Sequence, residues 1–272
     1  MVTQAIIPLA GLGTRLLPLS SVIPKELLPI NGKPNLEYIM EECIEAGIKQ
    51  FIFVVPKNRP SIKKYFFNDN FYKKILKKKK NDKRLKNVFK RLKKLQKMIK
   101  FVYQNKPEGT GHAVLQCKKY LKGTHFLMLL ADDLIVKKNC SKEMISLHRK
   151  TKGSVIATRK VERSTVSRWG ILGFKNKTKS SFLINEVIEK PKLSEAPSNY
   201  AIIGRYILPR KILSVLKMQG RGKGGEIHIT DAIKTLVKKD EKFYGNIFKG
   251  KYIDCGTLDG FIKSGLTISK YL

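Results

Sequence analysis

The sequence predicts an α/β protein, in which strands and helices alternate along the chain. A mostly apolar run at residues 5–9 leads into a loop with two glycines, Gly11 and Gly13, which is typical of a strand that ends at a tight turn. Residues 34–47 carry apolar side chains at helical spacing, and Gln50–Val55 is a second strand-like run. Because a β-loop-α-β unit needs a right-handed crossover between parallel strands, this opening predicts a parallel sheet.

The length of 272 residues allows one large α/β domain or two small ones, and we expect a single globular, water-soluble domain over residues 1–272. The apolar fraction of 42% is ordinary, which excludes a disordered chain. No apolar run reaches the ~18 residues of a membrane helix, and the N-terminus lacks a signal-peptide pattern, so we expect a cytoplasmic protein without a membrane partner. The cysteines are too scattered for a disulfide framework or a structural zinc site. They are Cys43, Cys117, Cys140 and Cys255.

The net charge of +35 is the unusual property of the composition. A strongly basic chain can attract nucleic acid or an anionic surface, so a nucleic-acid-binding protein has to be considered. The charge is most concentrated at residues 73–100, where fifteen Lys or Arg residues face one acid. Within this segment, residues 84–97 keep a helical apolar period. We favour a crossover helix with a solvated basic face over an interface for subunits, nucleic acid or membrane.

The loop after the first strand is predicted to bind phosphate. Its glycines are expected to take positive φ angles, which would let the backbone approach a ligand closely. Successive N–H groups in such a turn form a cradle for oxyanions, and Arg15 adds a planar fork of donors. The loop is not a P-loop, because no Gly-Lys-Ser/Thr ending is present. It is not a dinucleotide loop either, because Leu16 stands where a third small residue is needed and Pro18 interrupts any helix.

Two later strands are predicted to end at polar residues. Residues 101–104 end at Gln104, whose amide offers one donor and one acceptor, although on sequence alone a loop glutamine before a glycine turn is the simpler interpretation. Residues 125–131 form the most apolar strand, and Asp132 and Asp133 follow it. The carboxyl end of a central parallel strand is where such sheets bind ligands, and Mg²⁺ takes one or two carboxylates together with phosphates and water. The alternative that the carboxylate only caps the next helix stays open for Asp133.

The remaining chain continues the alternation of helices and strands. A helix is predicted from about Ser141, residues 225–232 start another, and residues 260–272 close the chain as a third. Glu226 and Asp231 are either ligand-binding residues or first-turn charges favoured by the helix dipole. Strands are predicted at residues 154–157, 169–172, 184–191 and 200–208.

An ordered set of short motifs resembles the sugar-phosphate nucleotidylyltransferase family, and within it the bacterial UTP–glucose-1-phosphate uridylyltransferases (UDP-glucose pyrophosphorylases). The set spans residues 11–256 and leaves the lysine-rich segment uncovered. It departs from the family pattern at Ser20-Ser21-Val22, at Asn31-Gly32 and at Trp169. The motifs are Gly11-Leu12-Gly13-Thr14-Arg15, Pro24-Lys25-Glu26, Lys33-Pro34, Gln104 with Gly109, Glu189-Lys190-Pro191 and Asp254-Cys255-Gly256.

The resemblance implies a three-layer, Rossmann-like fold with a mixed, mostly parallel sheet, which is the fold of the nucleotide-diphospho-sugar transferases. It also implies Mg²⁺-dependent transfer of a nucleotidyl group from UTP to glucose 1-phosphate, which yields UDP-glucose and pyrophosphate. Because the family commonly forms dimers or tetramers, we expect a homo-oligomer.

The resemblance further assigns roles to residues. Arg15 would bind the β- and γ-phosphates, Lys25 the α-phosphate, Lys190 the sugar phosphate and Asp132 the Mg²⁺. Asp254 would either face the metal or only orient its loop. The nucleotide-binding residues would be Ala10, Gly11, Leu12, Gly13, Thr14, Arg15, Glu26, Gln104 and Gly109. The sugar-phosphate-binding residues would be Asp133, Gly170, Glu189, Lys190 and Gly204.

Two other functions stay open on sequence alone. A glucose-1-phosphate thymidylyltransferase would keep the fold and use dTTP, although the spacing after Glu189 and the Asp254-Cys255-Gly256 ending are closer to the uridylyltransferases. A basic nucleic-acid binder on an inactive fold would bind any duplex in a salt-sensitive way and release no pyrophosphate.

Overall fold

A nine-stranded sheet crosses the middle of the molecule, which a computed structural model describes over residues 1–270. Seven strands point the same way, while β10 and β11 run opposite to them, so the mixed, mostly parallel sheet is confirmed. In sheet order the strands are β5 (Ile99–Tyr103), β4 (Gln50–Val55), β1 (Gln4–Pro8), β6 (His125–Leu129), β11 (Tyr200–Pro209), β8 (Ser154–Lys160), β12 (Phe243–Ile247), β10 (Ser181–Glu189) and β9 (Gly170–Lys175).

Helices cover both faces of this sheet, which makes the predicted three layers. Successive side chains of β1 point to opposite faces, so Ile7 joins one core cluster and Ile6 the other. The first cluster is covered by α1 (Asn35–Glu45), α2 (Ser61–Phe66), α4 (Lys83–Gln96), α6 (Cys140–Thr151) and α9 (Leu258–Ser269). The second is covered by α5 (Thr110–Gln116), α7 (Ile212–Met218) and α8 (Ile229–Val237).

Two short antiparallel ribbons lie beside the main sheet. The first joins β2 (Pro29–Ile30) to β3 (Lys33–Pro34), and the second joins β7 (Asp133–Val136) to β13 (Lys251–Asp254). In the second ribbon, Asp133 pairs with Asp254, which brings two distant acidic positions together. The interpretation of Asp133 as a helix cap is therefore wrong. The side chain of Asn139 caps the following helix by accepting a hydrogen bond from the Lys142 N–H.

The lysine-rich segment forms part of the crossover between β4 and β5. It contains most of α3 (Asp69–Lys78) and all of α4, and the first residues of β5 complete it. Leu92 and Leu95 of α4 are buried in the main core, while the cations lie on the outer side of the helix. The predicted crossover helix with a solvated basic face is confirmed. Among the helices of residues 1–270, none is long and apolar enough to cross a membrane.

Most predicted boundaries hold within a few residues, and the exceptions have local causes. The helix expected at residues 225–232 begins only at Ile229, because Gly224 and Gly225 take φ angles of 72° and 74°, which are not helical. The closing helix begins at Leu258. Its predicted last positions, 271 and 272, lie outside the described residues.

Candidate active site

A cavity of about 400 Å³ opens at the carboxyl edge of the parallel strands. The chain leaves β1, β5 and β6 at this edge, so the residues after each strand meet there. Ten of the predicted site residues line this cavity: Ala10, Gly11, Leu12, Gly13, Thr14, Lys25, Glu26, Gln104, Gly109 and Asp132.

The glycine loop after β1 forms one wall of the cavity. Gly13 has a φ of 68°, as predicted, and its carbonyl accepts a hydrogen bond of 2.8 Å from the Ser20 hydroxyl. The prediction of a positive φ is wrong for Gly11, which lies outside the left-handed region. A Cβ at Gly11 would meet no heavy atom within 4 Å, so this glycine leaves open space beside the loop. Ser20, which departs from the family pattern, thus supports the turn at Gly13.

Two cationic side chains, Lys25 and Arg15, contact the carboxylate of Asp132 next to the glycine loop. The Lys25 amine lies 2.5 Å from Asp132 Oδ2, and the Arg15 guanidinium lies 3.5 Å from the same oxygen. Burial disfavours the charged amine, but the charge of Asp132 outweighs it and raises the pKa of Lys25. Burial also opposes the charge on Asp132, yet Lys25 and Arg15 hold its pKa below the ordinary value. Lys25 and Asp132 are therefore both ionised at neutral pH.

Asp254 reaches the same cluster from β13. Its Oδ2 lies 3.1 Å from Arg15 Nη1, and its Oδ1 accepts a hydrogen bond from the Gly256 N–H. A Cβ at Gly256 would lie 2.7 Å from Asp132 Oδ2 and 3.1 Å from Asp254 Oδ1, so glycine keeps the space between the carboxylates free. Both roles weighed for Asp254 fit these contacts.

Two neighbouring carboxylates suit the oxygen preference of Mg²⁺, which commonly takes one or two carboxylates and completes its shell with phosphate and water. Within residues 1–270, no group of three His, Cys, Asp or Glu side chains is placed to hold a metal ion by itself. A magnesium ion here would thus depend on oxygen ligands from a bound substrate.

Glu26 is buried under the loop next to Lys25. Its side chain is 2% exposed, and its Oε1 finds no hydrogen-bond partner in the part of the chain that the structure describes. Burial raises the pKa of this carboxyl to about 7, although the neighbouring Lys25 charge opposes the shift. Near neutral pH, the Glu26 carboxyl is therefore present in both its protonated and its ionised form.

Gln104 and Gly109 lie at the opposite wall of the cavity. The Gln104 amide nitrogen lies 2.9 Å from His112 Nδ1, so the histidine orients the amide. Gly109 has a φ of 102°, and a Cβ there would lie 2.6 Å from the Ile227 carbonyl oxygen. This position accepts only glycine without a shift of the neighbouring loop.

The predicted sugar-phosphate residues form a second group beside the first. Glu189 pairs with Gly170 across β10 and β9, and its Oε2 lies 3.1 Å from where a Gly170 Cβ would be. Lys190 follows directly, with its amine 3.8 Å from Glu189 Oε1. Burial is the main cause that raises the pKa of Tyr206, and the charges of Glu189 and Asp133 raise it further. Both carboxylates therefore lie near the Tyr206 hydroxyl.

The Asp133 side chain is buried, and both of its carboxylate oxygens already have hydrogen-bond partners within the protein. Its Oδ2 accepts from the Gly204 N–H at 3.0 Å, and its Oδ1 accepts from the Tyr252 hydroxyl at 2.6 Å. Burial and the nearby Asp132 charge raise its pKa to about 6. Glycine at position 204 admits this carboxylate, because a Cβ would lie 2.4 Å from Asp133 Oδ2. Contacts of Asp133 and Gly204 with a hexose stay predictions.

Sequence reasoning missed several residues of the site. Thr110 and Leu130 line the cavity, and Glu226, which was left undecided between two roles, does so too. Asn35 donates a hydrogen bond of 2.5 Å to the Ala131 carbonyl, directly before Asp132. Its place after the Lys33-Pro34 motif was the signal that could have found it.

The family comparison covers nearly the whole chain. The profile of the nucleotidyl transferase family matches residues 4–270. UTP–glucose-1-phosphate uridylyltransferase 2 of Staphylococcus saprophyticus is 39% identical over 273 residues, with 97% of this chain and 90% of the relative covered. UTP–glucose-1-phosphate uridylyltransferase 2 of Streptococcus pyogenes is 36% identical over 271 residues, covering 97% of this chain and 89% of the relative.

Solved structures agree with the sequence relatives. A UDP-glucose pyrophosphorylase crystallised with UDP-glucose superposes with a TM-score of 0.86 at 34% identity, and all of both chains is covered. The UTP-bound enzyme of Acinetobacter baumannii superposes with a TM-score of 0.83 at 32% identity, covering 98% of this chain and 93% of the other.

Proposed function

Because the chain belongs to the nucleotidyl transferase family, we propose that it makes UDP-glucose and pyrophosphate from UTP and glucose 1-phosphate. One observation carries the proposal: Lys25, Arg15 and Asp132 meet at the glycine loop, at the mouth of the cavity. Cations beside a turn that can hold phosphate, with a carboxylate between them, suit a polyanionic substrate and its counterion.

The reaction is an in-line displacement at phosphorus. An oxygen of glucose 1-phosphate attacks the α-phosphorus of UTP, the new P–O bond forms, and the bond to the β-phosphate breaks to release pyrophosphate. Both reactants are anions, so the protein has to hold like charges in contact and neutralise the charge that grows on the leaving group. In such transfers, positioning and electrostatic stabilisation dominate, and no protein nucleophile is needed.

Without substrate, Lys25 and Arg15 form ion pairs with carboxylates of the protein, chiefly that of Asp132. When a triphosphate arrives, its oxygens give Lys25 and Arg15 new anionic partners, with Lys25 at the α-phosphate and Arg15 toward the β- and γ-phosphates. Asp132 and Asp254 are then free to hold a divalent cation. Mg²⁺ bound there would supply positive charge to the phosphates and fix their orientation. We propose that the enzyme requires Mg²⁺ for activity.

The base is assigned to the wall formed by Gln104 and Gly109. The Gln104 amide is held by His112, which leaves its carbonyl oxygen as an acceptor for a base N–H. Glu189 and Lys190 are assigned to the sugar hydroxyls and the sugar phosphate. Lysine suits the latter role because its amine is a mobile point charge.

The decisive experiment is incubation of the protein with UTP, glucose 1-phosphate and MgCl₂, followed by mass detection of UDP-glucose and assay of pyrophosphate. A parallel reaction without MgCl₂ tests the cation requirement. Competition among UTP, dTTP, CTP and ATP tests the base, and preferential incorporation of dTTP would favour the thymidylyltransferase alternative. Absence of any nucleotide sugar with all four triphosphates would refute the proposal.

The location and assembly of the enzyme are also proposed. All four cysteines are buried free thiols, which suits the reducing cytoplasm. We expect a homo-oligomer, dimer or tetramer, which light scattering after size-exclusion chromatography measures directly.

A further inference from the structure

Arg205 is a fully buried charge in the middle of β11, a strand whose residues are otherwise buried and mostly apolar. Its side chain is 0% exposed, and it does not line the substrate cavity. A buried guanidinium is costly unless its charge is paired and its donors are satisfied. Its partners therefore show what this side chain is used for.

All five N–H groups of Arg205 have partners. Nε and Nη2 face the carboxylate of Glu42, with Nη2 at 3.0 Å from Oε2. Nη1 donates to the carbonyls of Leu130 and Gly204, both at 3.1 Å. The second hydrogen of Nη2 goes to the Asp133 carbonyl at 2.5 Å. The guanidinium thus joins helix α1 to the chain on both sides of Asp132.

Glu42 holds the guanidinium from the other side. Its Oε1 accepts hydrogen bonds from the Ser141 amide at 3.0 Å and from the Ser141 hydroxyl at 2.6 Å. Through this contact, the first turn of α6 anchors the carboxylate, which itself belongs to α1. The orientation of Arg205 is therefore fixed by two helices of the same layer.

The turn at residues 130–133 is restrained at every carbonyl. Arg205 binds the carbonyls of Leu130 and Asp133, and the Asn35 amide binds that of Ala131. The Cys255 N–H donates to the Asp132 carbonyl at 2.8 Å. Side chains supply three of these four hydrogen bonds, so this backbone does not depend on sheet pairing alone.

We propose that Arg205, oriented by Glu42, is a positioning residue that fixes the Asp132 carboxylate opposite Lys25. The inference rests on the proposed function, since it concerns the residue assigned to the divalent cation. Arginine is required because a planar fork reaches three carbonyls and a carboxylate at once, whereas a lysine amine has three donors at one point. A shift of about 1 Å in such a group can lower the rate about 100-fold.

The test is Arg205→Lys, which keeps the charge and loses the fork. We expect kcat to fall about 30- to 100-fold while KM for UTP changes less than about threefold, because Arg205 does not line the cavity and the phosphate-binding Lys25 and Arg15 are unchanged. Amide exchange of Cys255 is a second readout that needs no substrate. Its N–H bonds to the Asp132 carbonyl, and we expect it to exchange about tenfold faster when the turn is released.

Gln4→Leu is the matched control. It removes hydrogen bonds of a buried side chain to Gln50 and to the Tyr120 carbonyl at the opposite end of β1, and we expect kcat and Cys255 exchange to stay within about twofold of the parent protein. If Arg205→Lys does not fold, Asn35→Leu tests the same turn through the Ala131 carbonyl. It should lower kcat and speed Cys255 exchange in the same direction.

Unchanged kcat and unchanged Cys255 exchange in folded Arg205→Lys, or in Asn35→Leu, would overturn the proposal. Equal losses in Gln4→Leu would overturn it as well, because they would indicate general destabilisation. The proposed function fails separately, if the parent protein makes no UDP-glucose. In that case, Cys255 exchange still measures whether Arg205 holds the turn.

Discussion

At the scale of single residues, the site is a cluster of opposite charges that burial has strengthened. The ionised pair of Lys25 and Asp132 lies next to Glu26 and Asp133, whose pKa values are raised to about 7 and about 6. Sequence alone identified these residue types and their order along the chain. It did not reveal which carboxyl groups stay charged, because that depends on burial and on neighbours from distant segments.

Lys25→Ala is expected to lower kcat by 10²–10³, or about 3–4 kcal/mol in transition-state free energy, because a charge opposite the reacting phosphate is lost. Lys122→Ala removes an exposed lysine and serves as the control. Initial rates of UTP-dependent pyrophosphate release measure both variants. A Lys25→Ala rate equal to that of the control would show that Lys25 does not act on the phosphate.

Glu26→Gln is expected to change how stability depends on pH. The folded pKa of about 7 lies above the ordinary glutamate pKa of 4.5, so the contribution of Glu26 is full below pH 4.5 and is lost as pH rises through 7. Glutamine does not titrate. The variant should therefore gain about 3 kcal/mol relative to the parent protein between pH 4 and pH 8.

Urea unfolding at a series of pH values measures this gain. The control is Glu162→Gln at an exposed position, which should show no such trend. A constant difference between Glu26→Gln and the parent protein across the range would mean that folding does not shift the pKa of Glu26.

At the scale of elements, the parallel strands end at one edge, and their loops form the cavity. Periodicity predicted β4 and α4 nearly to the residue, because each buries a regular apolar pattern. The loops were harder to predict, since their shape is set by contacts with other loops. The segment that begins at Glu108 illustrates this. The Ile227 N–H donates to the Glu108 carbonyl and the Gly111 N–H donates to the Ile227 carbonyl, across more than 100 residues.

Gly109→Ala is expected to destabilise the fold by about 3 kcal/mol and to raise KM for UTP. Alanine at a φ of 102° is strained, and its Cβ would press on the Ile227 backbone at the cavity wall. Gly123→Ala separates the two effects. Its φ of 74° is also positive, but a Cβ there would meet nothing within 4 Å.

Thermal unfolding and steady-state kinetics measure both glycine variants. We expect Gly123→Ala to cost only about 1 kcal/mol and to leave KM unchanged. Equal effects in the two variants would mean that backbone strain, and not contact with Ile227, decides the result.

At the scale of the whole molecule, the charge of +35 surrounds a site for anions. A long-range positive field accelerates the encounter with a polyanion, and salt screens it over a Debye length of about 8 Å at physiological ionic strength. The crossover position of α3 and α4 leaves most of their lysines exposed on the protein surface.

Raising KCl from about 20 mM to about 300 mM is expected to lower kcat/KM for UTP several-fold, mainly through KM. Stopped-flow or initial-rate kinetics with constant free Mg²⁺ measure the effect. Sucrose solutions of matched viscosity control for diffusion. Salt-independent kcat/KM would mean that the field does not steer the substrate.

The sequence by itself determined the fold class, the family resemblance and the residue types of the site, because periodic burial and short motifs are local properties of a chain. The tertiary structure alone decided which of these residues meet. Strands β7 and β13 set Asp254 beside Asp133, and Arg205 with Glu42 holds the turn that carries Asp132. These contacts join segments more than 70 residues apart, and only the packing of the sheet and its helices brings them together.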